Sequence, residues 1–306
     1  MAQARHNLLV VLGPTASGKT RLGARLARDL GGEVVSADSR QVYRGLDIGS
    51  GKDLDEYTVV GEAVPYHLID IVDLDTEFNV YEYQTRFFEL FEKLGARGVT
   101  PVLVGGTGLY IQAALSAHRM IEVPENPELR IDLAGLSMEA LQDRLRGLSD
   151  RLHNTTDLVD RDRLVRAIEI AAFSAGREPE PAPDIRPLIL GTAWPRGLLR
   201  KRIARRLRER MDAGLVKEVE GLLARGVPAE RLKLLGLEYR YVAQFIDGEF
   251  NNRNDMVQKL SSAICQFAKR QETWFRRMER RGAEIHWVER ADYSKACEAV
   301  QRHLGA

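Results

Sequence analysis

Gly13-Pro14-Thr15-Ala16-Ser17-Gly18-Lys19-Thr20 satisfies the spacing GxxxxGK[ST] in full. The apolar run Leu8 to Leu12 precedes it, and a helical pattern from Thr20 to Leu30 follows it, ending at Gly31-Gly32. Strand, glycine-rich turn and helix start together form the context in which such a loop cradles an anion. The glycines let backbone amides turn inward, and the helix N-terminus adds its dipole. Lys19 supplies a point charge, and the Thr20 hydroxyl can ligate Mg²⁺. Residues Gly13, Pro14, Thr15, Ala16, Ser17, Gly18, Lys19 and Thr20 are therefore read as a phosphate-binding loop.

Outward from this loop, Glu33 to Ser36, Pro101 to Val104 and Pro187 to Leu190 are further short apolar runs bounded by Gly, Pro or helix-start residues. They read as buried parallel strands. Val80 to Leu94 is helical, with Asn79 placed to cap its start and Gly95 at its end. The alternation predicts an α/β fold, a P-loop NTPase-like core with a parallel sheet. The run after Pro101 ends in Gly105-Gly106-Thr107-Gly108, and the next strand pattern starts only at Pro187. Between them lie helical patterns at Ser137 to Leu148 and Asp160 to Ala175, followed by the proline-rich stretch EPEPAPDIRP. Residues 113–186 are accordingly expected to form a helical insertion, with 1–112 and 187–306 as the core. Beyond the last strand the chain reads as helix through Trp274 and closes with a strand candidate at Glu284 to Val288.

Hydrophobic residues at 44% and charged residues at 29% are ordinary globular values, without repeats or low-complexity tracts, which argues against disorder. The first apolar run is five residues long, too short for a membrane span or a secretory core. Cys265 and Cys297 lack CxxC spacing, which disfavours a zinc site or disulfide framework and fits a reducing cytoplasm. A cytoplasmic monomer without membrane contact is the expectation. The net charge of +1 hides an asymmetry: residues 196–281 hold 21 Lys or Arg against 11 Asp or Glu, a balance of +10. Such a segment suits a polyanion. It equally suits a solvated helix face, since Leu199, Ile203, Leu207, Met211, Leu215 and Val219 draw an apolar stripe that leaves Arg200, Arg205, Arg206 and Arg208 outside.

A phosphate loop does not name its phosphate. An NTPase would be expected to end a strand in an acidic metal ligand, yet Pro101 to Val104 runs into glycines, and only the strand at Glu33 is followed by an acid, Asp38. Asp38 lies where α/β proteins bind ligands, and its residue type leaves a general base, a metal ligand and a helix cap all open.

GPTASGKT, SADSRQVYRGLDIGS (36–50), VGGTGLY (104–110), RLVRAIE (163–169) and FAKRQETWF (267–275) occur in this order along the chain. In order and spacing the chain resembles the bacterial tRNA dimethylallyltransferases over nearly its whole length. The resemblance implies transfer of a dimethylallyl group from its diphosphate to N6 of adenosine 37, beside the tRNA anticodon, assisted by Mg²⁺ at Thr20. The diphosphate would occupy Gly13 to Thr20, with Lys19 stabilising the departing charge. Asp38 would be the base, with Ser39, Arg40 and Gln41 lining the tRNA side and Thr107 catalytic near the acceptor nucleotide. Arg130, Arg163, Arg166, Lys269, Arg270, Gln271 and Trp274 would contact tRNA, and the insertion would clamp it. Trp274 also reads as a core residue of the last long helix. The chain departs from the family pattern in Gly49-Ser50-Gly51-Lys52-Asp53 against GTAKP, in Asp162 against Gln, in Leu235-Gly236-Leu237-Glu238-Tyr239-Arg240 against GYR, and in a shorter insertion. The C-terminal zinc finger of eukaryotic members is absent from the sequence. The alternatives are a small-molecule kinase using ATP on the same loop, which leaves KRQxTW unexplained, and an RNA-remodelling NTPase, which lacks the expected acid.

Overall fold

The strands are continuous apolar runs buried on both faces, so they pair in parallel beneath helices instead of alternating between core and water. The computed structural model describes residues 6–148 and 158–304. In chain order they form β1 (Leu8–Leu12), α1 (Lys19–Asp29), β2 (Glu33–Ala37), a 3₁₀ turn (Leu54–Tyr57), β3 (Thr58–Val59), β4 (Glu62–Ala63), β5 (Tyr66–His67), α2 (Val80–Ala96), β6 (Pro101–Gly105) and α3 (Gly108–Ala114). There follow α4 (Pro127–Ala134), α5 (Met138–Leu148), α6 (Arg161–Ser174), β7 (Pro187–Ala193), α7 (Arg196–Asp212), α8 (Leu215–Ala224), α9 (Ala229–Leu234), α10 (Leu237–Ile246), α11 (Arg253–Arg280), β8 (Ile285–Glu289) and α12 (Tyr293–Leu304).

Among the described residues, six strands form one sheet in the order β5-β2-β6-β1-β7-β8, every neighbouring pair parallel. The register sets Leu12 beside both Gly105 and Gly191, and Ala37 beside Gly105. The carboxyl ends of β1, β2, β6 and β7 are thus level, and the residues that follow them share one edge, where α/β sheets bind ligands. On one face Leu9 and Val11 pack with Leu22 and Leu26 of α1. Leu8, Val10 and Leu12 point to the other face and are equally buried. The Asn79 side chain accepts from the Glu82 amide at 3.0 Å and Glu82 returns the bond at 3.0 Å, a capping box that fixes the start of α2.

The chain forms two compact units, one running to Ala117 and resuming at Pro183, the other His118–Ala182. The smaller unit packs Leu133, Leu141, Leu145, Leu164 and Ile168 from α4, α5 and α6 into its own core. Asp160 accepts from the Arg163 amide to cap α6. Arg161 donates to the carbonyls of Leu133, Ala134 and Leu136, satisfying the end of α4.

Candidate active site

The phosphate loop follows β1 and leads into α1, with Ala16 (φ 62°) and Gly18 (φ 87°) in the left-handed region that turns the amides inward. A Cβ on Gly13 would lie 1.9 Å from Thr192 Oγ1, so glycine is required there for β7 to close on the loop. The buried Thr192 hydroxyl donates to Ser17 Oγ at 2.7 Å, and Trp194 Nε1 donates to the Ser17 carbonyl at 2.8 Å. Lys19 Nζ reaches the Pro14 carbonyl at 3.3 Å. Burial and the neighbouring Arg206 charge lower the Lys19 ammonium to about 8, against the opposing pull of Asp38 and Glu56. The residue is half-buried, and its described hydrogen bond, to the Pro14 carbonyl, is long.

Asp38 stands one residue beyond β2, half-buried, its Oδ1 accepting from the Arg40 amide at 2.9 Å. Thr107 clamps this turn from the end of β6: its Oγ1 accepts from the Ser39 amide at 3.1 Å, and its amide donates to the Ala37 carbonyl at 3.2 Å. Arg40 is half-buried, and desolvation lowers its guanidinium against the raising effect of Asp38. Gln41 faces inward: its Oε1 accepts from Ser36 Oγ at 3.0 Å and its Nε2 donates to the Gly51 carbonyl at 3.0 Å, so it shapes the turn and does not present its amide outward. Gln271 of α11 ties two loops together, accepting from the Thr15 amide at 2.8 Å and donating to the Gly106 carbonyl at 2.8 Å. The indole of Trp274 lies on Gly108, where a Cβ would come within 2.3 Å of it, and its buried Nε1 has no hydrogen-bond partner among the described residues.

Helix α7 corrects one sequence reading. Arg206 is not on the solvated side: it hydrogen-bonds to Thr15 Oγ1 of the loop, and burial followed by the Arg210 charge lowers it to about 10. Arg202 Nε donates to the Ala16 carbonyl at 2.8 Å, and Arg210 is 7% exposed. The spacing of four that buries Leu199, Ile203 and Leu207 also aligns 202, 206 and 210 beside that stripe, along the phosphate loop. This second row is the signal that was present in the sequence and missed.

The remaining candidates divide by exposure. Lys269 and Arg270 are exposed on α11, and Arg270 lies 5.8 Å over the ring of Phe267, itself 37% exposed. Phe267, which sequence reading did not single out, is thus the open aromatic surface beside this basic pair. In the smaller unit Arg163 is exposed. Arg130 and Arg166 both meet the buried carboxylate of Glu169, at 2.8 and 3.1 Å, and Arg166 Nη2 also donates to the Val123 carbonyl at 2.6 Å. Arg130 first, with the Asn126 amide and Arg166 behind it, overcomes burial and holds the Glu169 carboxyl down at about 2.

A family model described as IPP transferase matches residues 41–278, and one described as Isopentenyl transferase matches residues 6–60. The chain belongs to the IPP transferase family. Its relatives include "tRNA dimethylallyltransferase 1" of Syntrophus aciditrophicus, 57% identical over 97% of this chain and 98% of that one. Another is "tRNA dimethylallyltransferase 2" of Shewanella sediminis, 51% identical over 96% and 97%. The solved tRNA isopentenylpyrophosphate transferase of Bacillus halodurans superposes with a TM-score of 0.68 at 30% identity, covering 97% of this chain and 94% of that one. A eukaryotic dimethylallyltransferase acting on tRNA shares the fold, with a TM-score of 0.77 at 20% identity over 96% and 78%.

In this member of the IPP transferase family the phosphate-loop motif and Asp38 follow the level carboxyl ends of β1 and β2, with β6 between them. No helix among the described residues is long and apolar enough to cross a membrane. The departures from the family pattern at 49–53 and 235–240 meet in one network. Glu218 accepts from the amides of Asp47, Ile48 and Gly49, and Tyr239 donates to the same carboxylate while its oxygen accepts from the Ser50 amide. Lys52 is buried against the Tyr43 carbonyl, Asp47 and Asp70, which makes it a structural cation of this loop.

Proposed function

We propose that this chain is a tRNA dimethylallyltransferase, moving a dimethylallyl group from dimethylallyl diphosphate to N6 of adenosine 37 in the anticodon loop. The observation that carries the reading is that Thr107 and Gln271 tie the Asp38 turn and the phosphate loop to the end of β6, which lies between β2 and β1, so that the Asp38 charge reaches Lys19. The N6 lone pair forms the new bond to the allylic carbon as the C–O bond breaks and its electron pair leaves with the diphosphate. Charge builds on that leaving group, and Lys19, Arg206 and the loop amides oppose it before the reaction starts. The amine N–H becomes acidic as the bond forms, and Asp38 takes the proton, a transfer commonly contributing roughly 10²- to 10⁴-fold.

The Thr20 side chain, in the first turn of α1, makes no hydrogen bond to a described residue, and among those residues no three His, Cys, Asp or Glu side chains form a metal cage. That donor set fits Mg²⁺ held by one hydroxyl, water and diphosphate oxygens. When bound, the ion neutralises charge on the leaving diphosphate. On the RNA side, Lys269, Arg270 and Phe267 offer charge and a stacking surface for an unpaired anticodon base, while Arg130, Arg163 and Arg166 suit backbone phosphates. The protein acts in the cytoplasm, as a monomer, with 118–182 as its RNA-gripping insertion.

Incubation with unmodified tRNA, Mg²⁺ and labelled dimethylallyl diphosphate tests this. Label on adenosine 37 with release of diphosphate is the expected result. Unlabelled tRNA accompanied by brisk ATP turnover would transfer the loop to kinase or NTPase chemistry.

A further inference from the structure

Arg210 is a buried cation whose partners do not account for its geometry. Its Nη1 lies 3.3 Å from Glu238 Oε1, and Asp53 Oδ2 is 3.9 Å from Nη2, beyond hydrogen-bond reach. Nε and Nη2 are both buried without a hydrogen-bond partner among the described residues. A guanidinium used only as an anchor would turn its two-pronged edge onto a carboxylate, because that bidentate pairing is its strongest. Here the carboxylate takes the single outer nitrogen and the prongs remain unmet, a cost to folding that calls for a missing acceptor.

The surrounding chain makes room for this arrangement. Gly51 is left-handed at φ 70°, and a Cβ there would lie 1.9 Å from Nη2, so any side chain at 51 would collide with the guanidinium. Gly51, Asp53 and Glu238, three of the positions at which the sequence departs from the family pattern, thus share Arg210 as a neighbour. Along α7, Arg210 is one turn beyond Arg206 and two beyond Arg202, both of which bond the phosphate loop. Its charge is felt by Lys19 as well as by Arg206.

We propose that Arg210 is a further binding residue for the donor's diphosphate, its Nε and Nη2 hydrogens taking a phosphate oxygen beyond those met by Lys19 and the loop amides. The assignment deepens the prenyl-transfer reading and rests on it for the donor, but the phosphate contact itself is measurable apart from the reaction. Glu238 holds the guanidinium in place and competes with the ligand for its charge.

The test is calorimetric titration of the full chain with inorganic diphosphate, for the unaltered protein, Arg210→Met and Glu238→Gln, alongside the donor KM, the tRNA Kd and thermal unfolding. Arg210→Met should weaken diphosphate by about tenfold or more, the loss of a charge-assisted contact, and raise the donor KM while leaving the tRNA Kd alone. Its melting temperature should hold or rise, because an apolar side chain replaces an unsatisfied cation. Glu238→Gln should tighten diphosphate. Diphosphate affinity in Arg210→Met within about twofold of the unaltered protein, or a lowered melting temperature as its sole effect, would make Arg210 a structural anchor. If Arg210→Met fails to fold, Glu238→Gln decides alone, and weakened diphosphate there overturns the proposal. An unaltered protein that binds diphosphate yet leaves tRNA unmodified would sink the wider reading, with the titration still ruling on Arg210.

Discussion

In the proposed reaction Lys19 and Asp38 carry opposite halves of the chemistry, so each has its own signature. Replacing Asp38 by Ala removes the proton acceptor while the diphosphate cradle and the RNA-facing cations remain, so turnover should fall by roughly 10²- to 10⁴-fold. Single-turnover assays beside filter binding check this, and a variant with near-normal turnover would remove Asp38 as the base. For Lys19 the sign follows from its folded value of about 8 against an ordinary 10.5. Between those values the unfolded chain holds a proton that the folded chain has lost, so this residue makes stability rise with pH across that window. A bound diphosphate restores the charged form, so binding near pH 9 should take up a proton and weaken as pH climbs past 8. Diphosphate titrations in two buffers of different ionisation enthalpy measure the uptake, and none at pH 9 would mean that Lys19 never meets phosphate.

At the scale of elements, α11 reaches across the site through Gln271, and its contribution can be isolated. Gln271→Leu leaves the Thr15 amide and the Gly106 carbonyl without their partner, and because the Gly106 bond is buried and the Thr15 bond partly so, the expected loss is about 1–3 kcal/mol. Chemical denaturation measures it, and an unchanged midpoint would mean that water replaces the amide freely. The strands were legible because parallel strands buried on both faces read as unbroken apolar runs, from Leu8 to Leu12 and from Pro101 to Val104. β5 was not, since Tyr66 and His67 are too few to show a period. On α7 the apolar row was correctly assigned to the core, but Arg206 was given to solvent, and Arg202 and Arg210, which share its row, were not singled out. Arginine at a stripe's border is ambiguous in sequence, because only the tertiary fold decides whether water or a phosphate loop lies opposite. Gln41 and Gln271 teach the same lesson: a polar residue within a motif can hold loops together as readily as it can touch a ligand.

Across the whole molecule, RNA affinity should be set by counterion release, so log K should fall linearly with log salt, and phosphate contacts should appear as slope. The chain's positive charge is concentrated rather than spread, with +10 in residues 196–281 within a total of +1. Part of that charge is already committed: Arg202 and Arg206 to the phosphate loop and Arg210 beside Glu238. In the smaller unit Arg130 and Arg166 are partly neutralised by Glu169, whereas exposed Arg163 has no ion-pair partner among the described residues. Arg163→Ala should therefore weaken tRNA binding and lower the salt slope by about 1, uniformly across tRNA sequences, because a phosphate contact carries no base information. Titrations at several salt concentrations distinguish this from a lost base contact, which would change discrimination between tRNAs and leave the slope intact. An unchanged slope would place Arg163 away from phosphate and shift the electrostatic grip on RNA to Lys269, Arg270 and the remaining exposed cations of α7.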